Sequence, residues 1–189
     1  MDAMEKVLIA GLFILIVLIV INVVKLFTRC GNTDTLLRPL SDGSMERIID
    51  FKLQNYPDFV AKVSGMSTPE PWGCWTDSYA GPVAKFCFKQ ALPKKITLEI
   101  AAQAFGPNVG LPVKVKVGAN EDAFAIIDGK TTPYILAFET DGTADTLVIT
   151  APKPTSPREL DPNSVDIRKL GIGLISLKIK DGSQSRSPN

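Results

Sequence analysis

The sequence predicts an all-β fold, an antiparallel β-sandwich of jelly-roll type preceded by a single transmembrane helix. Three observations carry this expectation: an unbroken apolar run near the N-terminus, a body in which apolar and polar residues alternate, and turn residues at short intervals between the alternating segments. From Val7 to Ile21 no polar side chain occurs. With Val23 and Val24 the run reaches about 18 residues, roughly 27 Å as a helix and close to one hydrocarbon core. It is longer than a secretory h-region and no small-residue cleavage pattern follows it, so residues 1–30 are expected to stay as an uncleaved signal anchor with residues 7–24 in the bilayer. Phe27-Thr28-Arg29-Cys30 has Arg where lipoprotein processing requires a small residue. Lys6 precedes the run and Lys25 and Arg29 follow it, so charge bias alone leaves the orientation open.

Residues 31–46 are polar and turn-rich, with Gly31-Asn32, Arg38-Pro39 and Ser41-Asp42-Gly43-Ser44, and read as a tether to a domain over residues 47–180. Residues 181–189, polar and containing Gly, Ser and Pro, end the chain as a flexible tail. Within the domain, Ile96, Leu98 and Ile100 alternate with Thr97 and Glu99, and Val113, Val115 and Val117 alternate with Lys114 and Lys116. Leu174, Ile175, Leu177 and Ile179 lead out through Lys178 and Lys180. Period-two alternation places one face of each strand toward a core. Further strands are expected at residues 48–53, 59–63, 83–89, 123–127, 134–138 and 146–150. Turn signals at Gly106-Pro107-Asn108, Gly118-Ala119-Asn120, Asp128-Gly129 and Asp141-Gly142 separate these strands. About ten short strands without a long amphipathic helix disfavour an α/β enzyme scaffold.

Composition narrows the function. The 21 Lys+Arg and 20 Asp+Glu leave a neutral domain once Lys6, Lys25, Arg29, Asp2 and Glu5 are set aside. A neutral domain gives no basic face for nucleic acid. The chain has no histidine, which removes Ser-His-Asp and Cys-His catalysis and the commonest zinc ligand. Cys30, Cys74 and Cys87 have no metal-ligand spacing. Cys74 and Cys87 are equidistant from a turn centred between Ala80 and Gly81, so a hairpin would set them opposite each other. Either they form a cross-strand disulfide, in an oxidising compartment, or they are free thiols. The same hairpin puts Trp75 opposite Phe86 on the core face and leaves Trp72, Cys74 and Thr76 beside Lys85, Cys87 and Lys89 on the other. Trp72 is then either a platform for a sugar ring or covered by a loop or neighbouring strand, burial being the ordinary outcome.

The string Glu70-Pro71-Trp72-Gly73-Cys74-Trp75-Thr76-Asp77 carries a resemblance. With it go Leu92-Pro93, residues 102–108 (AQAFGPN), residues 156–160 (SPREL), Asp166-Ile167-Arg168 and residues 170–174 (LGIGL). Over roughly residues 56–180 the chain resembles the periplasmic C-terminal β-sandwich domain of bacterial phosphoglycerol transferases and some membrane glycosyltransferases. The resemblance implies a single-pass bacterial inner-membrane protein, N-terminus cytoplasmic and domain periplasmic. It also implies a place beside machinery that modifies periplasmic glucans or surface polysaccharides. Those transferases carry a metal-dependent catalytic domain and several membrane spans that this chain has no room for. The expected role is therefore non-catalytic: a carbohydrate-binding or accessory module, or alternatively a structural domain partnering a polytopic membrane transferase or glycosyltransferase.

Candidate ligand-binding residues are Trp72, Trp75, Asp77, Asn108, Asp166 and Arg168. Asp166 and Arg168 point to one side of an extended chain, where an ion pair ordering a loop is the simpler role. Asn108 follows Gly106-Pro107, where a turn role competes with binding a sugar hydroxyl. No catalytic residue, metal ligand or cofactor is indicated. Asp77, Asp141, Asp145, Asp161 and Asp166 are numerous enough for a structural calcium, but no DxDxDG spacing is present. Expected partners are the lipid bilayer, a glycan or lipopolysaccharide, and a polytopic transferase.

Overall fold

A computed structural model describes residues 46–128 and 131–182. The apolar run and the tether lie outside them; among the described residues no helix is long and apolar enough to cross a membrane.

Among the described residues, ten antiparallel strands form two five-stranded sheets. They are β1 (Glu46–Asp50), β2 (Val60–Ser64), β3 (Cys74–Asp77), β4 (Ala84–Phe88), β5 (Lys95–Ala104), β6 (Pro112–Val117), β7 (Asn120–Ala125), β8 (Thr132–Glu139), β9 (Thr146–Thr150) and β10 (Leu170–Asp181). The first sheet runs β1-β10-β5-β8, and β3 pairs with the same edge of β10 nearer its start. The second runs β2-β4-β9-β6-β7. Alternation sets the faces: Val113, Val115 and Val117 of β6 and Leu147 and Ile149 of β9 are fully buried, while Lys114 and Lys116 are exposed. They meet Ile96, Leu98 and Ile100 of β5 and Phe86 and Phe88 of β4 in one core. Phe86 packs edge-on against Phe51 at 5.6 Å, and burying each such ring contributes about 1.5–3 kcal/mol.

The longest strand explains its own irregular pattern. In β10, Ile172 and Leu174 point inward, and then Leu177 and Ile179 do so, a change of phase by one residue. A register shift against β5 between Leu174 and Ser176 supplies the extra residue, as a β-bulge does. Ile175 sits at this step, and its carbonyl accepts the Phe51 N–H.

The structure corrects the hairpin expected around Ala80 and Gly81. β3 pairs with β10 in the first sheet, whereas β4 pairs with β2 and β9 in the second. The intervening segment therefore crosses between sheets. Gly65 anchors this crossing at φ +75°, where a Cβ would lie 2.0 Å from the Val83 carbonyl oxygen. Cys74 carries a free buried thiol that donates to the Ser67 carbonyl at 3.0 Å, so no Cys74–Cys87 disulfide forms. Cys87 is disulfide-bonded, but not to Cys74. The faces of β3 are likewise the reverse of those expected: Cys74 and Thr76 point into the core, and Trp75 lies on the outer face of its sheet.

Candidate functional site

The sequence Glu70-Pro71-Trp72-Gly73 closes a tight turn in which the N–H of Glu70 donates to the Gly73 carbonyl (2.7 Å) and the N–H of Gly73 to the Glu70 carbonyl (3.1 Å). Proline fixes φ at the second position, and Trp72 is carried at the third. The chain then enters β3, whose Trp75 is in register with Gly173 of β10. Both indoles lie over that glycine: a Cβ there would come within 2.6 Å of Trp72 and 2.9 Å of Trp75. Strand-interior glycine here permits the close approach of a large ring to the backbone.

Trp72 and Trp75 meet edge to face with centroids 4.8 Å apart, and Trp75 meets Phe105 at 5.7 Å. All three rings are half-buried. A polar chain rims them. The Trp72 Nε1–H donates to Glu70 Oε2 at 2.8 Å, and Arg168 NH1 donates to Glu70 Oε1 at 3.0 Å. Arg168 also grips Asp166 in a fork, Nε to Oδ1 at 3.0 Å and NH2 to Oδ2 at 2.7 Å. Hydrogen bonding from Arg168 holds the Asp166 carboxyl below the usual carboxylate range, and bonding to Asp166 first and Glu70 second pushes the guanidinium further up. The three charged side chains are each about a third exposed, at 35, 32 and 29 % for Arg168, Glu70 and Asp166.

The loop carrying Asp166 and Arg168 is fixed upstream. Helix α1 (Pro157–Leu160) starts in a capping box, Ser156 Oγ accepting from Glu159 N and Glu159 Oε2 accepting from Ser156 N. Lys169 pairs with Glu159, and the Arg158 N–H donates to the Asp166 carbonyl. Below the rim, β3 and β10 slip register between Leu170 and Gly173, and the buried Thr76 hydroxyl accepts the Ile172 N–H at 2.8 Å.

Of the sequence-selected residues, Trp72, Trp75, Asp166 and Arg168 share this one site. Asn108 is fully buried; its amide donates to the carbonyls of Phe105 and Lys153 and accepts the Lys153 N–H. It thus fixes the turn that follows Phe105. Asp77 is buried and accepts the N–H groups of Tyr79 and Lys169. Glu70, Phe105 and Gly173 belong to the site but were not singled out from the sequence. For Gly173 the available signal was its place with Gly171 inside an otherwise apolar strand. Burial, first, raises the Cys74 thiol pKa. Among the described residues no group of three or more His, Cys, Asp or Glu comes together as a metal site.

The fold class has relatives among solved structures. Two variants of a family 29 carbohydrate-binding module, from work on its ligand recognition, superpose with TM-scores of 0.50 at 12 and 10 % identity; each comparison covers 77 % of this chain, and 98 and 99 % of the module respectively. That likeness shows a shared β-sandwich. The domain of unknown function DUF7024 matches residues 42–181, and the chain belongs to this family. Phosphoglycerol transferase I of Escherichia coli and of Shigella boydii serotype 18 is 38 % identical over 152 residues, 79 % of this chain. The chain spans about a fifth of the length of these curated relatives.

Proposed function

We propose that this chain is a non-catalytic accessory module that holds a carbohydrate through Trp72 and Trp75. In this reading residues 7–24 anchor it in the bacterial inner membrane, and the sandwich sits in the periplasm beside an enzyme that modifies a glycan. The observation carrying the proposal is the pair of half-exposed indoles bordered by Glu70, Arg168 and Asp166. Ring faces stack on the C–H surfaces of a sugar, and fixed carboxylate and guanidinium groups exchange hydrogen bonds with its hydroxyls. The likeness to phosphoglycerol transferase I and the carbohydrate-binding-module fold support the same reading. One feature favours binding over hydrolysis: both rim carboxylates are engaged as hydrogen-bond acceptors, Asp166 by Arg168 and Glu70 by Arg168 and the Trp72 indole N–H. Glycoside hydrolysis needs one carboxyl group kept protonated.

A titration of the full chain in detergent with neutral glucan oligosaccharides and lipopolysaccharide oligosaccharides, read by tryptophan fluorescence, tests this. Saturable change that is lost in Trp72→Ala with the far-ultraviolet spectrum intact is the expected result. Silence across the panel from a folded protein would overturn it.

A second reading, a docking domain for a polytopic transferase, is favoured by Leu160, Val165 and Ile167. These apolar side chains are exposed around the loop that carries Arg168. Co-purification of a polytopic enzyme that is lost in Val165→Asp, with no response to glycans, would select this reading.

A further inference from the structure

Resting on the reading of the aromatic site as a glycan platform, we propose that it takes uncharged hexose units and rejects units bearing a phosphodiester or another anionic substituent. The charge arithmetic of the rim motivates this. Glu70 and Asp166 bring two carboxylates against one guanidinium. Every nitrogen of that guanidinium already faces a carboxylate oxygen: Nε lies 3.0 and 3.1 Å from the two oxygens of Asp166, NH2 lies 2.7 Å from Oδ2, and NH1 lies 3.0 Å from Glu70 Oε1. The Trp72 indole N–H is spent on Glu70. The next cation along the chain, Lys169, is taken by Glu159. Arg158, on the exposed outer side of the loop, sets its Nε on the Ser164 carbonyl.

What the rim offers a ligand is therefore a net negative charge, one guanidinium against two carboxylates, with two N–H groups of Arg168 and the remaining carboxylate lone pairs open to hydroxyls. A phosphodiester brings only acceptors and a negative charge, and would meet two carboxylates with no uncommitted cation between them. Uncommitted cations do gather away from the indoles. Lys62, Lys85 and Lys116 lie on the outer face of the second sheet, at positions paired with Cys87, with Ser64 and Val148, and with Val148 respectively. None of the three makes a salt bridge among the described residues. An anionic glycan is drawn to that face rather than to the indoles. Beside a transferase that adds an anionic group, such a site would retain the unmodified acceptor and release the modified product.

The experiment uses the full chain in detergent and a matched pair of oligosaccharides. One is a neutral glucan and the other the same glucan carrying glycerol phosphate on a hydroxyl, both read by tryptophan fluorescence and by calorimetry. The expected result is at least tenfold weaker binding of the charged partner at low salt. The gap should narrow toward about 0.5 M salt, where screening shortens to a few ångströms. Asp166→Asn, which removes one of the two rim carboxylates, should shrink the ratio of neutral to charged affinity at low salt, whatever it costs the neutral ligand. Charged binding that appears by calorimetry but leaves the tryptophans unmoved also supports the proposal. Equal or tighter binding of the charged oligosaccharide at the indoles would overturn the selectivity and leave the platform standing. Failure of both ligands to bind would overturn the platform and this proposal together.

Discussion

The outer faces of the two sheets follow different rules. On the second sheet, β6 alternates buried valine with exposed lysine, and Lys114 pairs across to Glu121 at 3.0 Å. Such a face needs nothing beyond water to be satisfied. On the first sheet, the C-terminal half of β10 behaves similarly: Lys178 and Lys180 reach Glu99 at 2.7 and 3.0 Å and hold its carboxyl below the usual range. The N-terminal half does not. From Leu170 to Leu174 every residue is buried: Trp72 and Trp75 roof Gly173, and Ala151 and Thr76 crowd Gly171. A break in alternation within one strand thus marks where the sheet serves something other than solvent, as local rule-breaking tends to do at functional sites.

Substitutions at the two faces should separate sharply. Gly173→Val drives a side chain into the space of both indoles and is expected to cost about 3 kcal/mol, the upper end for overpacking, and to abolish the fluorescence response to glycans. Chemical denaturation and the glycan titration read the two effects. Thr76→Val keeps the shape but leaves the Ile172 N–H without its acceptor beneath the platform, at an expected cost of about 2 kcal/mol in the same denaturation series.

Asp166→Asn tests the rim through pH. The folded Asp166 carboxyl lies below its ordinary value, so its contribution is complete above the unfolded pKa of about 4 and is lost as pH falls through the folded value. The variant should be less stable by about 1 kcal/mol at neutral pH, since the pair is partly screened, and the two curves should converge on acidification. Divergence in acid would refute the pairing. The smallest effect belongs to the second sheet: Lys116→Ala should fall within about 0.5 kcal/mol of wild type and leave neutral-glycan binding unchanged.

The same contrast explains what the sequence made legible. Strands such as β5, β6 and β9 could be read because each has one wet face, so composition alternates with the backbone. The partners of β3 could not. Its four residues, Cys74–Asp77, have no alternation long enough to fix a sheet, and the turn at Ser78–Pro82 resembled a hairpin when it is a crossing between layers. That misplacement exchanged the faces of Trp75 and Cys74 and made a Cys74–Cys87 bond one of the two alternatives for these thiols. Trp72, Asp166 and Arg168 were recognisable by residue type. Their convergence with Glu70 was not, because Arg168 and Glu70 are 98 residues apart. Asn108, in a turn, and Asp77, at the end of β3, show the converse: polar residues that the fold occupies with backbone hydrogen bonds.

The central claim is that Trp72 and Trp75 form a surface for a sugar. Its most direct test follows the two indole N–H resonances of the chain by NMR during titration with a neutral glucan oligosaccharide. Both resonances should shift along one saturable curve, with the Trp72 signal marking the hydrogen bond to Glu70 and Gly173→Val removing the response. Unmoved indole signals, or shifts confined to residues of the second sheet, would contradict the account.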